Sequence, residues 1–422
     1  MINPPNLSGK PGQAPTLLVD RVWFDGPTRK DTSLEKPPKG LGTLDELRLF
    51  TGVPQHENFC RMAELVPTRR MAPSSSPVEW ALGPELVLHD TFEHEGRARS
   101  VERLLDETDT AALLVVHRGR IVHEEYRLTG GPHVPWMSMS VAKSFVSALV
   151  GIAVDEGSIA SIEDPVSDYV EVEPGSAYDG VAIRSLLQMS SGARWDEDYS
   201  NPDADAKRIG EATSGAHGGH DRIVATMVRE LPPDTFCRYN SCDTQALASV
   251  VRAATGTSLA DYMQTRLVEP LGMTDPGAWI VDPFGVEMGY AGLNLTARDY
   301  ARFGELYRRG GVAGDAQVVP AQWVATSVVS TAPHTDPGRV VEASETLAEG
   351  YGYQWWIPAV GDGSFSAIGV YNQFVYVHPA HEVVVVKLSA NRAYGTTVHE
   401  EQNREGETLA FLAHCAAWAA DA

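Results

Sequence analysis

The chain has 422 residues, 43% of them hydrophobic and 21% charged, which is the balance of a globular protein long enough for two lobes. Its formal net charge of −22 (34 basic residues against 56 acidic) argues against nucleic acid or an anionic membrane surface as a partner. The four cysteines, Cys60, Cys237, Cys242 and Cys415, fit neither a zinc module nor a dense disulfide framework. The N-terminus lacks a basic stretch followed by an apolar one, and the longest apolar helical run, Phe145 to Val154, is too short to span a bilayer. The expectation is a soluble, cytoplasmic protein.

Residues 1–95 are rich in proline and polar residues, with breakers at Pro37-Pro38 and from Met71 to Pro77. They read as an extended arm that wraps over the body. Two apolar runs, Ala111–Val116 and Ile121–Tyr126, flank a glycine turn and predict a hairpin. An apolar helix follows through Ser140 and stops near Asp155-Glu156-Gly157. From about 160 to 295 the pattern is mainly helical, clearest at Ile183–Met189 and Thr244–Ala254. Then come a helix over Ala297–Arg309, a second hairpin from Phe374–Val377 and Val383–Val386, and a last helix over Glu405–Ala420.

This order predicts an α+β fold. One antiparallel sheet is built from both ends of the folded part (96–165 and 296–422) and flanked by helices, with a mainly helical lobe, 166–295, inserted. A site is expected in the cleft between lobes.

Ser140-Val141-Ala142-Lys143 sets a serine and a lysine on one side of a helix start, with the amine in reach of the hydroxyl. That activates a nucleophilic serine without a histidine. Spacing alone proves little. With only seven lysines the chain repeats it at Ser33-Leu34-Glu35-Lys36, where Pro37-Pro38 leaves no helix behind it. The plainer reading of the Ser140 pair is an N-cap serine with a surface lysine. A tyrosine is needed to shuttle protons. Tyr199 lies in an acidic loop, whereas Tyr239 lies just before a helix and is the better-fixed candidate. The stretch His217-Gly218-Gly219-His220-Asp221 holds metal-ligand types without a third site and reads as a loop, so no metal or cofactor is expected. No serine stands in a Gly-x-Ser-x-Gly elbow.

The ordered stretches Met139–Ser144, Val150–Gly157, Tyr178–Gly180, Glu197–Tyr199, Phe236–Ser241, Thr296–Asp299 and Gln354–Trp356 are spread over residues 105–420. With them the chain resembles the class C β-lactamase and penicillin-recognising superfamily of serine hydrolases. Within it, the chain is most similar to the nylon-oligomer (6-aminohexanoate-oligomer) hydrolases and the β-lactamase-fold carboxylesterases. The resemblance implies a β-lactamase/transpeptidase-like fold with Ser140 as nucleophile, Lys143 as its partner and Tyr239 as the family tyrosine. It aligns Ala367-Ile368-Gly369-Val370 with the third motif, so that the N–H groups of Val370 and Ser140 form an oxyanion hole. The lysine of that motif is missing, which turns the expected substrate from β-lactams to amides or esters. Tyr199 matches a substrate-contacting tyrosine, and Gly369, Tyr371 and Trp356 complete the implied binding set. Trp355 and Trp356 are either an acyl pocket or core. Asn372 stands where the nylon-oligomer type has glycine and is expected to narrow the rim.

The implied activity is hydrolysis of a small amide (6-aminohexanoate-oligomer-like) or ester through an acyl-enzyme, with a homodimer as one possible assembly. The alternatives are a carboxylesterase with little amidase activity, or a penicillin-binding receptor or peptidase-like protein. Whether Lys143 or Tyr239 takes the first proton stays open.

Overall fold

The computed structural model describes residues 42–394, 396 and 403–422. All fall in one unit, Lys36–Ala422. The Ser33–Lys36 pair and the first 41 residues of the arm lie outside the described residues.

Eight strands form the main sheet: β1 (Ala81–Leu82), β2 (Thr110–His117), β3 (Arg120–Tyr126), β4 (Gly350–Tyr351), β5 (Trp356–Ile357), β6 (Phe365–Gly369), β7 (Gln373–His378) and β8 (Val383–Ser389). Their spatial order is β4-β5-β6-β7-β8-β2-β3-β1. Every pairing is antiparallel except β1 with β3. The centre is where the two ends of the chain meet, with Val385 of β8 opposite Val115 of β2.

The run Val383-Val384-Val385-Val386 does not alternate with polar residues because helices cover both faces of the sheet. Val384 and Val386 join one core with Phe303 and Tyr307 of α3 (Ala297–Arg308). Val383 and Val385 join the other with Phe411 and Leu412 of α4 (Glu405–Asp421). Gly304 brings α3 close to the sheet: a Cβ there would come 2.5 Å from Val384.

The same alternation separates Trp355 from Trp356. Trp355 packs against Tyr307 and Phe365 in the first core, while Trp356 of β5 faces the opposite side beside Tyr239.

α1 (Ala142–Asp155) is apolar around most of its circumference because it is buried on every side. Phe145 stacks on Phe303 of α3, with centroids 3.7 Å apart. α1 also packs along α2 (Ser241–Thr255), which a left-handed Gly256 ends. Between α1 and α3 the chain forms short helices, among them Ile183–Leu187, Asp205–Glu211 and His220–Ala225, together with two strands.

Those two strands, Gly277–Ile280 and Leu293–Leu295, build a second antiparallel sheet with Thr68–Met71 and Trp136–Met137 at its edges. The stretch 42–95 therefore adds strands to both sheets, including β1. No described helix is long and apolar enough to cross a membrane.

Candidate active site

Trp136–Met137 carries the chain out of the second sheet, and the Ser138 N–H donates to Leu293 O at 2.8 Å. The next residues form a 3₁₀ turn, Met139–Val141, before α1 begins at Ala142. Ser140 thus sits in the turn that leads into the helix. Met139 has φ 45° and is 3% exposed, so a left-handed residue with a buried side chain sets the direction of the Ser140 backbone.

β6 presses against this turn. A Cβ on Gly369 would lie 2.8 Å from Ser138 O and 2.9 Å from Ser140 N. Only glycine permits that approach. It sets Val370, the next residue, at the wall of both cavities that open beside Ser140.

Lys143 is 1% exposed, and its side-chain nitrogen has three partners. Nζ lies 2.9 Å from Ser140 Oγ, 3.1 Å from Ser241 Oγ and 3.0 Å from the carbonyl oxygen of Tyr290. Burial pulls the Lys143 pKa down to about 8, against the opposing fields of Glu197 and Glu342.

Tyr239, Asn240 and Ser241 are consecutive and do three different things. Tyr239 has its ring centroid 5.1 Å from Lys143 Nζ and stacks on Trp356, also at 5.1 Å. Burial pushes its phenol well above the ordinary value, helped by Tyr351 and the carboxylates of Glu197 and Glu342, while a hydrogen bond with Ser140 opposes the shift. Asn240 caps α2, accepting from Cys242 N at 2.8 Å and Asp243 N at 3.3 Å. Ser241 joins Lys143 to Glu197. Its hydroxyl donates to Glu197 Oε1 at 2.6 Å and its N–H to Oε2 at 3.2 Å.

Glu197 is 2% exposed and also accepts from Tyr199 OH at 2.5 Å and from Trp195 Nε1. Asp243 fixes the base of this arrangement, accepting from Tyr178, Ser191 and Asn240. Burial pushes its carboxyl up to about 7.

Two cavities meet at Ser140. One, of about 300 Å³, has apolar walls from Leu44, Leu49, Phe50, Met137, Met139 and Met288. Its charged lining is balanced, Asp45 and Glu211 against Arg48 and Lys207. The other, of about 470 Å³, is lined by Tyr239, Trp356, Ile368 and the hairpin that pairs Val341–Glu342 with Glu345–Thr346. Tyr199 stands between the two and lines both, with its ring stacked 4.3 Å from that of Phe50.

Of the residues singled out from sequence, Ser140, Lys143, Tyr239, Tyr199, Gly369, Val370 and Trp356 come together here. Tyr371 stands one layer back and is not among the residues lining either cavity. It is 1% exposed, and its hydroxyl accepts from the Phe50 N–H at 2.6 Å. It supports the cavity wall from behind.

Asn372 does not narrow the rim. At φ 70° its side chain turns inward, donating to Asn403 O at 2.8 Å and accepting from Lys387 at 3.0 Å and Thr408 at 2.7 Å. The metal-type residues are engaged elsewhere: His217 with Glu211, His220 with Asp282 and Asp221 with Arg252.

Sequence reading placed Glu197 and Ser241 in the ordered stretches without giving either a role, and it passed over the Tyr290 carbonyl. Ser241 sits two residues after Tyr239, and that proximity was a usable signal.

The class is that of β-lactamase-fold serine hydrolases, and the chain belongs to the Beta-lactamase family, whose model matches residues 98–409. That span holds every residue of the Ser140 cluster and bears out the resemblance read from the ordered motifs. The 6-aminohexanoate-dimer hydrolase of Paenarthrobacter ureafaciens is 30% identical over 353 residues, covering 79% of this chain and 84% of its own. Penicillin-binding protein 4 of Amycolatopsis lactamdurans is 27% identical over 316 residues, covering 64% of this chain and 75% of its own. Among solved structures, a Bacillus anthracis protein described as a 6-aminohexanoate-dimer hydrolase has a TM-score of 0.74 at 24% identity, covering 85% of this chain and 92% of that one, a likeness of fold.

Proposed function

We propose that the protein hydrolyses small amides, and esters of similar shape, through an acyl-enzyme on Ser140, with Lys143 as the base that first takes the serine proton. The observation that carries this reading is the arrangement around Lys143. Tyr290 O is a carbonyl and only accepts, and the single Ser241 proton is committed to Glu197. Both groups therefore require an N–H from the lysine. A neutral amine has two N–H bonds and one lone pair, so the lone pair is left facing Ser140 Oγ at 2.9 Å. A lysine drawn down to about 8 has a usable neutral fraction near neutral pH.

Burial drives Tyr239 the other way, so its phenol keeps its proton and acts as the acid. Ser140 Oγ attacks the carbonyl carbon as its proton passes to Lys143. The N–H groups of Ser140 and Val370 hold the oxyanion. The C–N bond breaks as Tyr239 gives its proton to the departing nitrogen, and the proton held by Lys143 returns to Tyr239. Water then attacks the ester of Ser140 as its proton passes to Lys143, the C–Oγ bond breaks as Lys143 gives that proton to Ser140 Oγ, and the acid and free serine are released.

The Paenarthrobacter relative supports the amide assignment, since it is named 6-aminohexanoate-dimer hydrolase. The four cysteines are unpaired, which favours the reducing cytoplasm as the compartment. The test is intact mass after a brief mix with a slow ester. The wild type should gain the mass of the acyl group and Ser140→Ala should not. Full hydrolysis by Ser140→Ala would overturn the proposal.

A further inference from the structure

The two cavities at Ser140 divide the substrate. Tyr239 lines the 470 Å³ cavity and not the 300 Å³ one. A group that protonates the departing nitrogen faces the departing half, so that half occupies the larger cavity. Its lining carries the carboxylates of Glu197, Asp198, Glu342, Glu345, Glu349 and Glu405, and no lysine or arginine among the described residues.

Glu342 is the best placed of these. Its hairpin is tied to the catalytic segment by Tyr239 N donating to Val341 O at 2.8 Å and Val341 N donating to Cys237 O at 3.0 Å. That anchors Glu342 one residue from the backbone partner of Tyr239. Its carboxyl makes no hydrogen bond or ion pair among the described residues. Burial pushes its pKa well above the ordinary range, with Glu405, Glu197 and Glu345 adding to the shift and Lys143 opposing it. A cation in the cavity favours the ionised Glu342 and offsets the repulsion among these carboxylates, whereas an anion favours the neutral acid and gains no such attraction.

We propose that the leaving half of the substrate is cationic, an amide of a diamine or polyamine whose free ammonium is held by the carboxylates of this cavity. The inference rests on the acyl-enzyme reading above. It separates the protein from hydrolysis of a 6-aminohexanoate dimer, whose leaving half would bring a carboxylate to the same wall. The chemistry is unchanged: the Ser140 Oγ–C bond forms, the C–N bond breaks, the Tyr239 proton goes to that nitrogen, and the distant ammonium takes no part.

The test uses three N-hexanoyl amides, of 1,5-diaminopentane (cationic), pentylamine (neutral) and 5-aminopentanoate (anionic). Binding to the Ser140→Ala protein is followed by calorimetry and turnover by the wild type. Affinity should fall in the order cationic, neutral, anionic, with about tenfold or more between the extremes and a smaller spread at high salt. The wild-type kcat/KM should follow the same order. In Glu342→Gln/Glu345→Gln the ratio of cationic to anionic affinity should fall toward one. Equal binding of the three amides, tighter binding of the anionic one, or an unchanged ratio in the double variant overturns the proposal. Because binding is read on Ser140→Ala, absence of turnover would count against the acyl-enzyme reading and leave the charge order to be judged separately.

Discussion

Lys143 carries the strongest expectation at the scale of single residues. It must be neutral to accept the Ser140 proton, so kcat/KM should be low in acid, rise through about pH 8 as the ammonium deprotonates, and level off above. Glu197 works against that deprotonation, because its negative field holds the lysine proton on. In Glu197→Gln the midpoint of the profile should therefore move to lower pH. The substitution should also cost about 1–3 kcal/mol of stability, because one amide oxygen cannot replace two carboxylate oxygens that accept from Trp195, Tyr199 and Ser241. A pH–rate series on a small ester with urea unfolding of both proteins checks this, and a midpoint that stays put or rises would sink the assignment. The Ser140 and Lys143 pair was visible in the sequence because both belong to one short segment. The role of Glu197 was not, although the residue opens one of the ordered stretches, because its bond to Ser241 joins residues 44 positions apart.

Among elements, β6 and the turn that carries the nucleophile are coupled through Gly369. Both atoms that a Cβ would strike, Ser138 O and Ser140 N, are backbone and have no rotamer to escape into. Gly369→Ala should part the strand from the turn and move Val370 away from Ser140. The expected loss is on the order of tenfold to a hundredfold in kcat, with about 1–3 kcal/mol of stability. Single-turnover rates and thermal unfolding measure the two losses, and an unchanged kcat would show that the close approach does not serve catalysis. The long elements were legible because local pattern specifies them. A valine run marks β8, glycine closes α2, and a mostly apolar run marks α1. The strands within 42–95 were not legible. Thr68–Met71 has four residues and is a strand because it pairs with Gly277–Ile280, about two hundred positions on. Asn372 misled for a related reason: its inward rotamer is set by Lys387 and Thr408, which no motif connects to it.

Taken as a whole molecule, the protein draws its substrate cleft from distant parts of the chain, and the wall nearest the N-terminus is the one open to adjustment. Phe50 closes the 300 Å³ cavity by stacking on Tyr199, while its backbone N–H donates to Tyr371 behind it. The opposite wall comes from Met137 and Met139, which are held by the second sheet and the nucleophile turn, and from Met288. The segment Leu44–Thr51 reaches the body through a few side chains, the Phe50 bond and the Leu47 carbonyl that accepts from Gln55 at 2.8 Å, so changes there should alter acyl selectivity before they disturb Ser140. In the proposed mechanism this cavity takes the acyl half. Phe50→Ala removes the ring facing Tyr199 and lengthens the space available to the chain. Esters of long acyl groups should gain on short ones, with the ratio of kcat/KM for octanoate over butanoate rising by about tenfold. Each methylene that gains a place in the cavity contributes about 0.8 kcal/mol, so two added methylenes account for a change of that size. The pH midpoint set by Lys143 should stay where it is, since the hydrogen bond of Phe50 goes to Tyr371 and not to any of the lysine's partners. If the acyl-chain preference does not move, the acyl half lies elsewhere. A shift of the pH midpoint with it would mean that the Leu44–Thr51 segment reaches the proton-transfer groups as well as the wall.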